Sequence, residues 1–200
     1  MEPYEIIMAP FLVYKAPLDE SFPDVDAVPG GNWKTLGTNG LGNLSDDGVS
    51  VSHEQTLVKK RNSGGTGPIK VVRTEEELII TLTLEDVSIE TYAKILNDQT
   101  LTDTAADADD AGFRYITLHQ GSSVSTFSLL IRGDASAYGS SFKTQYEIPV
   151  AYQSGNPKPV FKKGASADLQ VEFTVLEDPD AATEATRFGT LRMQDAAATE

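Results

Sequence analysis

Two stretches alternate apolar and polar residues with a period of two. Leu169, Val171, Phe173 and Val175 interleave with Gln170, Glu172 and Thr174, and Leu78, Ile80, Leu82 and Leu84 with Ile79, Thr81 and Thr83. Only an extended strand sends successive side chains to opposite faces, so this pattern commits the chain to half-buried β-sheet. A third run puts Val49, Val51, His53, Gln55 and Leu57 on one face and Ser50, Ser52, Glu54 and Thr56 on the other. Further strands are predicted at Phe113–Gln120, Val124–Arg132 and Gln145–Tyr152, with a short one at Trp33–Gly37. Pro149 should set Gln145–Tyr152 at an edge or a bulge, because proline has no N–H for the ladder.

One helix interrupts this series. Ser88 is suited to cap it, Glu90 favours its positive end, and Ile89, Tyr92, Ala93 and Leu96 fall on one face. Val87 and Tyr92 fit a hydrophobic staple, and Asn97 is the expected terminator, giving a helix within 88–97. Seven or more strands with one helix predict a mainly β fold, a two-sheet sandwich or barrel. Residues 1–176 are read as one β domain and 177–200 as an acidic C-terminal tail or arm, with a short ordered candidate at Phe188–Met193. Composition favours disorder in that tail until a partner orders it.

Two connections are long. Residues 17–48 are rich in Pro, Gly, Asp and Asn, and loops of this length are usually functional or bind a partner. Trp33 stands alone there, as an anchor into a pocket or a ligand contact. Residues 58–74 join two strand candidates through Ser63-Gly64-Gly65-Thr66-Gly67-Pro68, a hairpin whose tip should reach beyond its own domain. Lys59, Lys60 and Arg61 at its base are either a contact with an acidic surface of another copy or edge lysines that discourage stray pairing.

The formal charge of −14 argues against a protein that grips phosphate backbones. It suits one that repels nucleic acid or simply stays in solution. The absence of cysteine excludes disulfides and thiolate metal sites. Met1-Glu2-Pro3-Tyr4-Glu5 has no basic leader character, and no apolar run approaches the roughly 18 residues of a membrane span. Made and folded in a cytoplasm is the resulting expectation.

Catalytic chemistry finds little to work with. His53 and His119 both fall in strand patterns and read as structural. The acidic stretch 98–112 fails the calcium-loop spacing, because Ala111 and Leu118 stand where ligands are needed. Gly37-Thr38-Asn39-Gly40-Leu41-Gly42 has the glycines of a dinucleotide fingerprint in the wrong order. Gly121-Ser122-Ser123-Val124-Ser125 lacks the closing glycine of a nucleophile elbow. Arg132-Gly133-Asp134 spells an adhesion tripeptide, yet Gly-Asp at a strand end is ordinary turn chemistry. No enzyme, metal or cofactor is expected.

The order of features does resemble a known family. Asn32-Trp33-Lys34-Thr35-Leu36-Gly37 precedes Asp46-Asp47-Gly48-Val49-Ser50-Val51. A strand and long arm follow, then Arg73-Thr74-Glu75-Glu76-Glu77 leading into Leu78–Leu84. Leu84-Glu85-Asp86-Val87-Ser88-Ile89-Glu90 then opens the helix. Over residues 28–176 this succession resembles the major tail tube proteins of long-tailed bacteriophages. The resemblance implies a sandwich with a flanking helix, six copies closing a ring, and rings stacked into a conduit for DNA. It implies an arm that reaches a neighbouring ring, with Lys59, Lys60, Arg61, Ser63, Gly64, Gly65, Thr66, Gly67 and Pro68 as contact residues. It implies a polar lumen, for which Ser50, Ser52, Glu54, Thr56, Thr81 and Thr83 are the candidates. The partners it implies are further copies, a tape-measure protein, a tail terminator and tail-tip proteins, in a virion tail. Viral DNA would pass through without specific binding. Another tail component on the same fold, such as a terminator or distal tail protein, and a monomeric β-sandwich binding module remain alternatives.

Overall fold

The structure, a computed structural model, describes residues 6–198 apart from Met8, Asp86, Lys162 and Ala165. The leader reading on Met1–Glu5, Asp86 before the helix and the last two residues of the tail therefore lie outside the described residues.

The fold is mainly β with one α-helix, and every strand pairing is antiparallel. The strands are β1 (Phe11–Ala16), β2 (Lys34–Thr35), β3 (Leu44–Lys60), β4 (Lys70–Leu84), β5 (Thr102–Thr104), β6 (Phe113–Tyr115), β7 (Thr126–Gly133), β8 (Thr144–Gln153), β9 (Leu169–Val175) and β10 (Thr190–Met193). The main sheet runs β2-β1-β7-β8-β9-β4-β3, while β10 pairs with β8, and β5-β6 form a separate small hairpin.

Strand β8 organises this order. It pairs with β7 along its length, but its other flank is divided: Thr144–Glu147 takes β10 and Ala151–Gln153 takes β9. Pro149 sits between the two, at a register shift opposite Ser128, whose hydroxyl donates to the Pro149 carbonyl at 2.7 Å. Proline can occupy a central strand here because a bulge removes the need for its N–H. The divided flank splits the sheet into two wings, and their inner faces share one core. Val13, Leu129, Ile131 and Ile148 come from one wing, and Leu78–Leu84 and Leu169–Val175 alternate in from the other. Phe127 and Phe173 meet edge to face at 5.5 Å across it. Each such side chain withdrawn from water contributes about 1.5–3 kcal/mol.

The wing β1-β7-β8 is covered on its other side as well. There Ala16, Trp33 and Leu130 form a second core with Tyr14 and Phe22. Residues 17–33 make a strap over this face, held by side chains that the sheet points outward. Arg132 donates to the carbonyls of Val25 and Ala27, Gln145 to Pro23 at 2.9 Å, and Trp33 Nε1 to Ser21 at 3.0 Å. Trp33 is thus an internal anchor, stacked at 5.1 Å against Phe22. Burial pulls the Arg132 guanidinium below its usual pKa.

Helix α1 (Ile89–Ile95) is shorter than the expected span. Ser88 caps it by accepting from the Thr91 N–H, and Asn97 and Asp98 end it with positive φ. Its buried face includes Thr91 and Ile95, which the expected stripe did not contain. Asn97 then ties down the following loop, donating to Gln120 and Ser123 and accepting from the Ser125 N–H. Among the described residues no helix is long and apolar enough to cross a membrane.

Several expectations are corrected or refined. The strand predicted over Phe113–Gln120 is only Phe113–Tyr115, pairs with β5 and is exposed, because nothing covers either face. His119 accordingly lies in an irregular exposed stretch and not in a strand. The arm 58–74 is a hairpin as expected, and its strands run further than the pattern marks, since β3 and β4 stay paired to Lys60 and Lys70. Residues 177–200, expected to be a tail or arm with order only near Phe188–Met193, return to the body at that candidate. Phe188 packs on the main core and β10 joins β8. This close approach requires Gly189, where a Cβ would lie 2.1 Å from the Glu147 carbonyl oxygen and φ is +108°.

Candidate functional site

The arm is a two-stranded ribbon. From Ser52 through Glu77 every residue is exposed, on both faces and along both edges. Ser52–Lys60 alone spans about 30 Å at roughly 3.3 Å per residue. A register shift between Thr56 and Leu57 bends the ribbon at its middle, where Thr74 is the extra residue and its hydroxyl donates to the Thr56 carbonyl. Arg73 braces the bend by donating to Gln55 and Glu76, each at 3.0 Å.

Beyond the bend the ribbon changes character. Val58 and Val72 are directly opposed on one face and Lys59 and Val71 on the other. Leu57, Val58, Ile69, Val71 and Val72 are all exposed. Lys59, Lys60, Arg61 and Lys70 surround them, with no acidic residue between Leu57 and Val72. The tip closes through the Ile69 N–H on the Lys60 carbonyl at 2.8 Å, and Arg61 donates to the Thr66 carbonyl, also at 2.8 Å. A Cβ on Gly64 or Gly67 would meet nothing within 4 Å, and neither glycine has positive φ. Nothing inside the subunit demands glycine there, although glycine costs conformational entropy. The structure thus brings together all the predicted arm residues, Lys59, Lys60, Arg61 and Ser63–Pro68, at one projecting end.

The second set of predicted residues also converges. Ser50 is opposed to Thr81, and Thr81 to Glu172 on β9. Ser52, Glu54 and Thr56 follow along the same face, and Thr83, opposed to Gln170, lies on it too. This is the face opposite Leu78, Ile80 and Leu82. Sequence reasoning missed that Glu75 and Glu77 of β4 and Gln170 and Glu172 of β9 complete it. Their outward alternation was the available signal, but only the strand pairing shows that they adjoin the first set. Glu54 is directly opposed to Glu77. Like charges so placed cost stability, so the sheet carries this negative surface at its own expense.

Groups with chemical potential lie elsewhere and are occupied structurally. Lys15 is largely buried, its side chain 11% exposed. Its Nζ donates to Asp98 at 2.6 Å and to the Lys94 carbonyl at 3.1 Å, and stands 4.0 Å over the Phe127 ring. Burial lowers its pKa, while Asp98 opposes the shift. Arg132 of the adhesion-like tripeptide is buried against the strap and unavailable to a receptor. His53 is exposed at the ribbon's root, beside a cavity of about 370 Å³ lined also by Glu76, Leu78, Tyr146 and Phe188. In the acidic stretch the Asp107 carboxylate accepts from the Asp109 and Asp110 N–H groups, which holds its pKa below the usual value. Among the described residues no three His, Asp or Glu side chains are grouped to hold a metal. No family model matches the chain, and no curated protein matches it.

Proposed function

We propose that this chain is a structural subunit of a bacteriophage tail tube, in which six copies close a ring and stacked rings form the conduit for DNA. The observation that carries the reading is the ribbon Ser52–Glu77, exposed throughout and tipped with valines and cations. A lone two-stranded hairpin is marginal in water, and free strand edges are a liability that proteins normally suppress. A ribbon that survives in this form is explained by a partner that pairs with it or packs on it. Stacked copies supply one, because a contact between different surfaces of identical subunits closes rings or propagates fibres.

The polar face supports the same role. Ser50, Ser52, Glu54, Thr56, Thr81 and Thr83, with the glutamates around them, offer DNA hydroxyls and negative charge and would repel its phosphates. In this reading that face lines the lumen, and the partners are further copies, a tape-measure protein, and terminator and tail-tip proteins in the virion. A terminator or distal tail protein on this fold would use the same surfaces to close one ring without elongation. The exposed neighbours Phe113 and Tyr115 are the feature that favours a monomeric binding module instead.

Negative-stain electron microscopy over a concentration and salt series, with and without tail-tip complex, separates these readings. Uniform hollow tubes are the expected outcome, and deleting Ser63–Pro68 should abolish axial growth while leaving the melting temperature of the monomer unchanged. Single rings would favour the terminator or distal role. A chain that stays monomeric even with tail-tip complex would overturn the proposal in favour of a binding module.

A further inference from the structure

We infer that the basic, valine-bearing end of the ribbon docks on the acidic β5-β6 hairpin of a second copy of this chain. The inference rests on the reading of the chain as a self-assembling subunit, and it names the surface that receives the arm.

Charge selects the pair. In a chain of formal charge −14, Leu57–Val72 carries Lys59, Lys60, Arg61 and Lys70 and no acid. Residues 98–112 carry Asp98, Asp103, Asp107, Asp109 and Asp110 and no base. Two of these aspartates are committed within the subunit, Asp98 to Lys15 at 2.6 Å and Asp103 to Arg114 at 3.1 Å. Asp107, Asp109 and Asp110 at the hairpin's turn have no basic partner among the described residues, and neither do Lys59, Lys60 or Lys70. Complementary patches of this kind speed encounter and fix register.

Apolar surface accompanies the charge on both sides. The ribbon shows Val58, Ile69, Val71 and Val72, and the hairpin shows Phe113 and Tyr115, 57% and 45% exposed with ring centres 6.1 Å apart. Phe113 and Tyr115 share a face with Thr104 and Thr102, their cross-strand partners. Flat aromatic rings against β-branched side chains are a favourable contact between strands. An interface needs this apolar centre, since exposed ion pairs alone contribute little.

The receiving hairpin is also held in shape before anything binds. Arg114 bridges Asp103 and Glu90 of α1, the latter at 2.6 Å. The Asp107 N–H donates to the Asp110 carbonyl, and the close approach of Gly112 to Ala106 leaves no room for a Cβ. A shaped receiver thus meets an arm already held as a ribbon, with open space around Gly64 and Gly67 at its tip, which limits the ordering that binding must impose.

The test uses the full chain, which has no native cysteine. A Thr66→Cys, Ala108→Cys double variant should form a disulfide between copies on assembly and none in dilute monomer. Reversal of the arm (Lys59→Glu, Lys60→Glu, Arg61→Glu) or of the hairpin (Asp107→Lys, Asp109→Lys, Asp110→Lys) should each raise the concentration needed for assembly by about tenfold or more. Both reversals in one chain should restore it, an outcome that misfolding of either variant would not produce. Tube formation by the wild type, with no cross-link in the Thr66→Cys, Ala108→Cys variant and no recovery in the doubly reversed variant, would overturn the contact and leave the tube reading intact. Cross-linked assemblies that are neither rings nor tubes would keep the contact and overturn the tube reading. A wild-type chain that stays monomeric at every concentration even with tail-tip complex, with no cross-link in the double-cysteine variant, would overturn both.

Discussion

Strand β4 passes through two environments without leaving its partner β3. Over Leu78–Leu84 alternate residues are buried in the core, with Ile80 and Leu84 wholly inaccessible. Over Lys70–Glu77 every residue is exposed. The ladder of backbone hydrogen bonds continues across the boundary, so pairing alone does not separate the two halves. Burial does. The inner half is held by the core, and the outer half by its root, its bend at Thr74 and whatever it meets outside. Within one hairpin, one part specifies the fold and the other is left free to specify a contact.

The largest expected effect tests that division directly. In urea denaturation of the monomer, Ile80→Ala should cost about 2–5 kcal/mol, whereas Val72→Ala should change stability by less than about 0.5 kcal/mol. Similar costs at the two positions would mean that the ribbon packs on its own body. The next effect lies in the opposite wing. Arg132→Met should cost about 1–3 kcal/mol by leaving the Val25 and Ala27 carbonyls unpaired. It should also red-shift the emission of Trp33, the single tryptophan, as the strap loosens. Removing the ribbon tip should leave that emission unchanged, and a shared response would break the comparison.

A smaller effect sits at the boundary of the two halves. Glu77→Lys would place opposite charges across from each other at Glu54 and should stabilise the monomer by about 0.2–1 kcal/mol. A loss of stability on that substitution would show that the glutamate face is compensated locally. The smallest effect concerns the receiving hairpin. The Asp107 carboxyl is held below its ordinary value of 3.8 by two backbone N–H groups. Its contribution to the turn is therefore fully present above pH 3.8 and is lost as the pH falls through the lower folded value. The part of the Asp109 and Asp110 amide titration that disappears in Asp107→Asn should lie below pH 3.8. Finding that part at higher pH would remove the preorganised turn.

Much of the body was legible because one-sided burial writes itself as alternation. Strand β9 and the inner half of β4 follow the predicted faces residue by residue. Strand β1 escaped notice for the converse reason: with Val13 in one core and Tyr14 and Ala16 at the other, a strand buried on both sides shows no period. Strand β6 was overread, since Phe113 and Tyr115 look like core residues in isolation. The helix is legible through its cap, yet Thr91 and Ile95 are not, because they are buried at positions the simple stripe omits. For the site, glycine clustering marked the ribbon's tip and alternation marked its polar face. The length of the ribbon was not readable, because paired strands that bury nothing leave no hydrophobic pattern. That Glu172 adjoins Thr81 depends on a pairing between segments far apart in the chain.

The union of β1 with β7 also sets a timetable. Phe11 is paired with Gly133, and the strap between Ala16 and Trp33 is fastened to β8 through Gln145 and the Pro23 carbonyl, so it needs both partners in place. Ladders that join such distant segments form slowly, because a long loop must close before any bond rewards it. The hairpin β3-β4 joins neighbouring segments, so contact order alone would favour its forming before the body and would leave its valines displayed on an unfinished chain. Charges of one sign beside an apolar edge keep such intermediates from adding to one another. In the proposed tube subunit, Lys59, Lys60, Arg61 and Lys70 would therefore have a second use, holding unfinished chains apart before they assemble.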